Sequence, residues 1–376
     1  MATPTSWDRW VAERNRAVAA TGRRRHIRDL DGGTPATTVS GDGRPVVSFA
    51  SNDYLGLTQH PTVIAAAVDT AARRGTGSGS ARLIVGARPE HRALEADLAA
   101  WKGSEAALLF STGFAANVGL LATLGDHPDT LIVSDELNHA SIIDGARLAR
   151  ARVAIARHAD VDHVAHLLDA HAGRAVVVTD AVFSMDGDLA PVDDLAVVCA
   201  DRGALLVLDE AHAVLGPATP RAPEATVLVV GTLSKTLGSL GGFVAGPAAY
   251  TELLTSTARS FIFTTATPPA DAAAARAALG VLRSAEGDAL LARLAAHVDR
   301  LRPGHPSPIL PVLLGDEARA VAVADDLLER GLLVPAIRPP TVAPGTCRLR
   351  IALSAAHTDE QVDALADALA ELGCAA

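Results

Sequence analysis

The sequence has 376 residues, ample for one large domain with a buried core and a smaller one beside it. Its 43 acidic side chains against 33 lysines and arginines give a net charge of −10, a field that disfavours nucleic acid and anionic membrane surfaces as partners. Hydrophobic residues make up 49% of the chain but aromatics only 3%, and no run approaches a charge-free membrane span, so the apolar content reads as alanine-rich protein core.

The N-terminal stretch "MATPTSWDRWVAERNRAVAATGRRRHIR" lacks the apolar centre of a signal peptide and predicts a polar helix followed by a basic turn. Between about residues 105 and 246, short apolar runs alternate with polar clusters and helical patterns. This is the signature of a parallel sheet covered on both faces. The predicted strands are "AALLF" (106–110), "LIVS" (131–134), "AVVVT" (175–179), "ALLVL" (204–208) and "TVLVV" (226–230), with "GFVAG" (242–246) a possible sixth. After about residue 270 long Ala/Leu/Arg helices and the strands "SPILPVLLG" and "CRLRIAL" predict a smaller α+β domain. The expected division is an N-terminal helical segment (1–45), a large domain (46–270) and a small C-terminal domain (271–376). Cys199, Cys347 and Cys374 form no CxxC pair and no metal spacing, which points to a reducing compartment, the cytoplasm, and to no metal site.

In open parallel sheets ligands bind outside the carboxyl ends of the strands. Those ends are followed here by "STGFAAN", "DELNHAS", "DAVFSMDGD", "DEAH" and "GTLSK", which would bring Gly113, His139, Ser184, Asp209, His212 and Lys235 to one rim. Each has an ordinary alternative: a Ser/Gly-rich segment can simply turn, an aspartate can cap the next helix, and a lone histidine can be a core or surface residue. Lys235 stands apart because the chain has only two lysines, the other being Lys102, and 31 arginines. An amine can lose its proton and act as nucleophile or base, which a guanidinium cannot. Lys102, in "WKGSE", is expected to be a solvated helix end without a role. A Schiff-base lysine, a carboxylate for a pyridine nitrogen, a flat side chain to stack on a ring and a helix N-terminus for a phosphate are the parts of a pyridoxal 5′-phosphate site.

Seven stretches in order, "SNDYLGL" (51–57), "FSTGFAAN" (110–117), "NHASIIDG" (138–145), "VFSMDGDLAP" (182–191), "DEAHAVLG" (209–216), "TLSKTLGSLGG" (232–242) and "RPPTVAPGTCRLR" (338–350), resemble the α-oxoamine synthases. The resemblance runs from about residue 45 to the C-terminus. It implies the fold-type-I pyridoxal phosphate transferase fold, an α/β architecture with a mostly parallel central sheet, and decarboxylative condensation of an amino acid with an acyl thioester. By position, Lys235 resembles the lysine that forms the internal aldimine and later moves the α-proton. Asp209 resembles the partner of the pyridine nitrogen and His212 the donor to the ring phenolate oxygen. His139 resembles the stacking residue, with Ser184 nearby. Gly113, Phe114 and Thr232 match phosphate contacts, and Thr264 and Thr265 match a pair reaching the phosphate from a second subunit, which implies a homodimer with shared sites. Asn52 and Arg350 would face the substrate, Arg350 holding its α-carboxylate, and Thr341 would lie near the acyl group. "RPPTVAPGTCRLR" is most like members that join L-alanine to a pimeloyl thioester, carried by acyl carrier protein or coenzyme A, in biotin synthesis; glycine with a short acyl-coenzyme A is the alternative.

The chain also departs from the family. The loop between "DEAHAVLG" and "TLSK" is shorter than usual, so the wall beside it is expected to be open or rebuilt. In "GTGSGSARLIVG" alanine precedes Arg82 where serine is typical. The arginine expected at the far end of the acyl chain must come from "GRRRHIR", with Arg23 the expected residue. From other classes, a nicotinamide dehydrogenase would need "GTGSGS" as its dinucleotide loop, but this is a weak match that neither follows a clear strand nor precedes an acidic residue at the expected distance, and a non-catalytic homologue would have little reason to keep Lys235, Asp209 and His212 together.

Overall fold

The computed structural model describes residues 5–21, 23–25, 27–33, 35–39, 43–219 and 225–374. The expected polar helix is α1 (Ser6–Ala20), started by a capping box between Thr5 and Asp8 and burying none of its residues. Strands β1 (Leu30–Asp31), β2 (Ala36–Val39) and β3 (Pro45–Ser48) follow as an antiparallel meander. Helices α2 (Pro61–Arg74) and α3 (Pro89–Lys102) each begin with proline at the first helical position, where its missing N–H costs nothing.

The central layer then unfolds as β4 (Ala106–Phe110), α4 (Gly113–Leu124), β5 (Leu131–Asp135), α5 (Ala140–Leu148), β6 (Arg152–Ala156), α6 (Val161–Asp169), β7 (Ala175–Asp180), α7 (Val192–Asp201), β8 (Leu205–Asp209), β9 (Val227–Thr232) and β10 (Gly242–Gly246). These seven strands form one sheet in the order β4-β10-β9-β8-β7-β5-β6. All five residues of β5 and of β8 are buried, as an apolar strand covered on both faces requires. One face packs on α4 and α5 through Leu120, Leu121 and Ile142, and the other on α6 and α7 through Leu168, Leu195 and Cys199.

Two features were not expected. β6 is a seventh, edge strand, and its sequence "RVAIA" leaves Arg152, Val153 and Ile155 exposed, so it carries no continuous apolar run. β10 is antiparallel to both β4 and β9. A short turn, not a crossover helix, therefore joins β9 to β10, and that turn carries Lys235. Gly238 within it has φ +55°, and a Cβ there would come within 2.6 Å of the Thr58 amide nitrogen, so only glycine lets the turn lie against residues 57–58.

Helices α8 (Ala248–Thr257), α9 (Arg259–Ile262), α10 (Pro269–Leu282) and α11 (Ala285–Leu301) lead to β11 (Ile309–Gly315), α12 (Glu317–Glu329), β12 (Leu332–Leu333), β13 (Ala336–Ile337), β14 (Cys347–Ala352) and α13 (Asp359–Glu371). β14 is the middle of a three-stranded antiparallel sheet with β11 and β13. β12 pairs in parallel with β3, so the N-terminal meander is hydrogen-bonded to the C-terminal region. One apolar cluster joins Phe49, Tyr54, Leu94, Phe243, Leu294, Leu349 and Leu365. This brings residues 45–57 and β14 against the rim of the central sheet.

Candidate active site

The strand ends set the site. Asp180 and Asp209 are the last residues of β7 and β8 and are register partners. Asp209 is 6% exposed; its Oδ2 accepts from Asn117 Nδ2 at 2.7 Å and its Oδ1 from the Ala211 amide at 2.9 Å. Asn117 Nδ2 also donates to Ser141 Oγ at 2.9 Å, and Ser141 Oγ lies 2.8 Å from His139 Nδ1. His139 is the N-cap of α5, and its own amide donates to Asp180 Oδ2 at 2.8 Å. The His139 ring is thus fixed at the mouth of the strands, with burial lowering its pKa. Burial and the neighbouring Asp209 charge push Asp180 well above the usual carboxylate range.

On the other side Lys235 Nζ lies 2.7 Å from His212 Nε2, and His212 Nδ1 lies 2.5 Å from the Tyr54 hydroxyl. Tyr54 reaches Asn52 Oδ1 at 3.2 Å, and Asn52 Oδ1 accepts from Arg350 Nη2 at 3.1 Å. Arg350 Nε donates to the Ser184 carbonyl at 2.5 Å. A continuous polar row therefore joins the rare lysine on the β9–β10 turn to a buried arginine on β14. Burial lowers the Lys235 pKa, opposed by Asp209 and Asp180, and burial with the nearby Lys235 charge holds His212 well below its ordinary value. Burial thus disfavours the charged form of both groups.

At the start of α4 the first-turn amides, including those of Gly113 and Phe114, have no acceptor within the helix. A Cβ on Gly113 would come within 3.3 Å of Thr232 Cβ, so the helix start and Thr232 are in direct apposition. Thr232 Oγ1 is 2.8 Å from Ser234 Oγ, which adds a second hydroxyl.

The family model for class I and II aminotransferases matches residues 44–369. The chain belongs to that family. A protein of Anaeromyxobacter dehalogenans named 8-amino-7-oxononanoate synthase is 50% identical, the match covering 96% of this chain and 94% of that one. A solved serine palmitoyltransferase, described as holding pyridoxal phosphate as internal aldimine, superposes with a TM-score of 0.88 at 28% identity over 98% of each chain. The 8-amino-7-oxononanoate synthase of Francisella tularensis gives a TM-score of 0.73 at 28% identity over 87% of this chain and 98% of that one. The fold is that of the fold-type-I pyridoxal phosphate transferases, the cofactor is pyridoxal 5′-phosphate, and the enzyme is an acyltransferase of the α-oxoamine synthase branch.

The donor set fits the cofactor. It combines an amine at Lys235, a carboxylate at Asp209 held from the protein side by Asn117 and Ala211, and an anion cradle of helix amides and hydroxyls at Gly113, Phe114, Thr232 and Ser234. Tyr54, Asn117, Ser141, Asp180 and Ser234 are site residues that the sequence reasoning did not single out. All five lie inside or beside the motifs quoted, so the signal was position within a motif, not residue type.

Phe114 is 46% exposed, so its amide and not its ring belongs to the cradle. Other expected residues lie apart. Thr265 bridges Ala81 beside the exposed Leu83, Ile84, Val85 and Phe263. Thr341 is exposed on the segment between β13 and β14. Arg23 Nη2 pairs with Glu317 at 3.0 Å, and Arg338 Nη1 reaches the same carboxylate at 3.3 Å. Arg82 makes a two-point pair with Glu95, both bonds at 3.0 Å.

"GTGSGS" lies between α2 and a π-turn at 82–86 with no strand before it, in keeping with the sequence reading that it is not the dinucleotide loop of a dehydrogenase. One expectation is corrected: Lys102 is not a solvated helix end. Its side chain is 12% exposed and is ion-paired with Glu210, itself 4% exposed. Beside the shortened loop, among the described residues, Trp101, Lys102, Glu210, Thr219 and Phe243 help line a cavity of about 1130 Å³.

Proposed function

We propose that this enzyme joins L-alanine to a pimeloyl thioester, carried by acyl carrier protein or coenzyme A, releasing CO2 and the thiol carrier and yielding 8-amino-7-oxononanoate for biotin synthesis. The observation that carries this reading is the near full-length, 50% identity with a synthase of that name. In this reading Lys235 would hold the cofactor covalently, Asp209 would serve its ring nitrogen, His212 its phenolate oxygen and His139 the face of its ring, with Ser184 nearby. Gly113, Phe114 and Thr232 would hold the phosphate. The bound cofactor supplies an electron sink for charge developing at the α-carbon of the amino acid.

The protein supplies the rest. Arg350, oriented by the Ser184 carbonyl and Asn52, offers its remaining N–H groups to the alanine carboxylate as a two-point partner. Lys235 Nζ takes the α-proton and later returns one, which its burial-lowered pKa favours by making the neutral amine accessible. The acyl chain runs past Thr341 toward Arg23. There the half-exposed Arg23 guanidinium, paired with Glu317, is the cation proposed to meet the distal carboxylate of a dicarboxylic chain. We further propose a homodimer, in which Thr264 and Thr265 complete the phosphate site of the partner. The exposed apolar group Leu83, Ile84, Val85 and Phe263 beside them supports this.

A panel pairing alanine, glycine and serine with pimeloyl, succinyl and palmitoyl thioesters, read by product mass, tests the substrates. Alanine with the pimeloyl donor should give 8-amino-7-oxononanoate, with Arg23→Ala weakening use of that donor while the spectral response to alanine is kept. Preference for glycine with a short acyl donor would overturn the substrate assignment and leave the family standing.

A further inference from the structure

Tyr54 belongs to none of the roles assigned above, yet it sits between the two ends of the site. Its ring is fully buried at 0% exposure and packs edge-on to His212, with ring centroids 6.0 Å apart. Its hydroxyl has one proton to give and two acceptors within reach, His212 Nδ1 at 2.5 Å and Asn52 Oδ1 at 3.2 Å. Hydroxyl hydrogen bonds fall at about 2.5–3.0 Å. Asn52 Oδ1 already receives an N–H of Arg350. An amide oxygen can accept from both, so it is the shorter 2.5 Å contact that favours His212 as acceptor of the phenol proton.

We propose that Tyr54 is a positioning residue, whose hydroxyl donates to His212 Nδ1 and thereby holds the ring in the tautomer that presents an Nε2–H toward the Lys235 amine. Burial is the main cause that disfavours the imidazolium, and the Arg350 guanidinium and any charge on Lys235 or His139 act in the same direction, so the ring carries a single proton. With Nδ1 occupied as an acceptor, that proton must sit on Nε2. Nε2 is 2.7 Å from Lys235 Nζ, and a donor there is satisfied by a neutral amine and opposed by an ammonium. The phenol remains a donor across the working range, since burial pushes its pKa up to about 12. On its other side Asn52 Oδ1, 3.2 Å from the phenol oxygen, links Tyr54 to the Arg350 guanidinium. Tyr54 thus connects the arginine to the lysine, and its effect is to keep Lys235 in the form that can bond a carbonyl.

This inference rests on the reading of Lys235 and His212 as cofactor residues, and the test separates the two. Long-range proton–nitrogen NMR of the full chain, freed of cofactor and labelled with nitrogen-15 histidine, should show His212 with Nε2 protonated and Nδ1 bare, His212→Asn identifying its signals. A wild-type ring protonated at Nδ1 overturns the proposal without recourse to any variant at Tyr54. Tyr54→Phe, which keeps the buried ring, should lose the tautomer preference and slow the appearance of the visible band on adding pyridoxal phosphate by about tenfold or more. An unchanged tautomer or an unchanged rate in a Tyr54→Phe protein of wild-type circular dichroism also overturns it. Absence of a visible band in the wild-type chain would instead sink the cofactor reading of Lys235.

Discussion

Lys235, set into the β9–β10 turn, carries an amine suited to the proposed role, which none of the 31 arginines could fill. Its amine lies 2.7 Å from a neutral imidazole, and burial pulls its pKa down. Borohydride treatment of the cofactor-loaded protein, followed by lysine-specific digestion, should place the reduced adduct on the Lys235 peptide and leave Lys102 untouched. Lys235→Ala and Lys235→Arg should both fold, form no adduct and have negligible turnover; an adduct at Lys102 refutes the assignment. Asp180 presents the opposite electrostatic case. Its carboxyl is raised well above the ordinary value by burial and by Asp209, while the His139 amide and Lys235 pull it down. A raised native pKa means that the folded chain holds this proton more tightly than the unfolded chain. The stability so contributed is fully present below the ordinary carboxylate pKa of about 3.9 and is lost as pH rises through the raised native value. Asp180→Asn cannot ionise and keeps an oxygen for the His139 amide, so its melting temperature should fall less between pH 4 and neutrality than that of the wild type. Parallel wild-type and mutant melting curves across that interval would remove the proton from Asp180.

Between elements, the informative contact is the one from the end of α3 to the loop after β8. Lys102 closes α3 over the face of Trp101, 3.7 Å from the ring centroid, and pairs with Glu210, which also accepts the Thr219 hydroxyl. Glu210 follows Asp209 directly and its amide donates to the Val230 carbonyl at 2.8 Å. Lys102 therefore holds the segment that leads from Asp209 to His212, alongside the cavity that accompanies the shortened loop. Breaking a buried pair by removing one partner typically costs about 3–5 kcal/mol, because the other charge is left unpaired. Lys102→Met should approach that loss in denaturant titrations, and Lys102→Met with Glu210→Gln should recover most of it. A double variant as unstable as the single one would show that packing of the lysine stem, not its charge, is what matters.

For the whole molecule the decisive question is whether two copies share each site. Thr264 and Thr265 follow α9, and Thr265 and Ala266 pair with residues 80–81, apart from the row that joins Lys235 to Arg350. If they serve a partner's phosphate, mixing Lys235→Ala chains with chains carrying Thr264→Ala and Thr265→Ala should regain activity. One intact site per mixed dimer would return about half the wild-type activity per mixed dimer, since each such dimer has one of its two sites whole. Verified mixed dimers with no recovery would mean that each site is built within a single chain.

The sequence by itself determined the central layer and the chemistry at its rim. Continuous apolar runs such as 106–110 and 242–246 coincide with β4 and β10 because strands buried on both faces allow few polar residues. The polar residues that had to follow each run marked the rim. The sequence also singled out Lys235, because a residue type used twice stands out against 31 arginines. Only the tertiary structure decided the direction of β10, since a short apolar strand reads the same in either direction. It alone revealed β6, an edge strand that alternates weakly and lacks a buried face, and the pairing of β3 with β12, which are separated by more than 280 residues. The burial of Lys102 was likewise illegible, for its partner Glu210 lies 108 residues away and a lysine at a helix end is ordinarily solvated. Tyr54 was hidden for the same reason: its motif was plain, but its meaning depends on a ring nitrogen 158 residues further along the chain. Local pattern fixes which segments are buried, whereas hydrogen-bond partners across such separations exist only once the chain has folded.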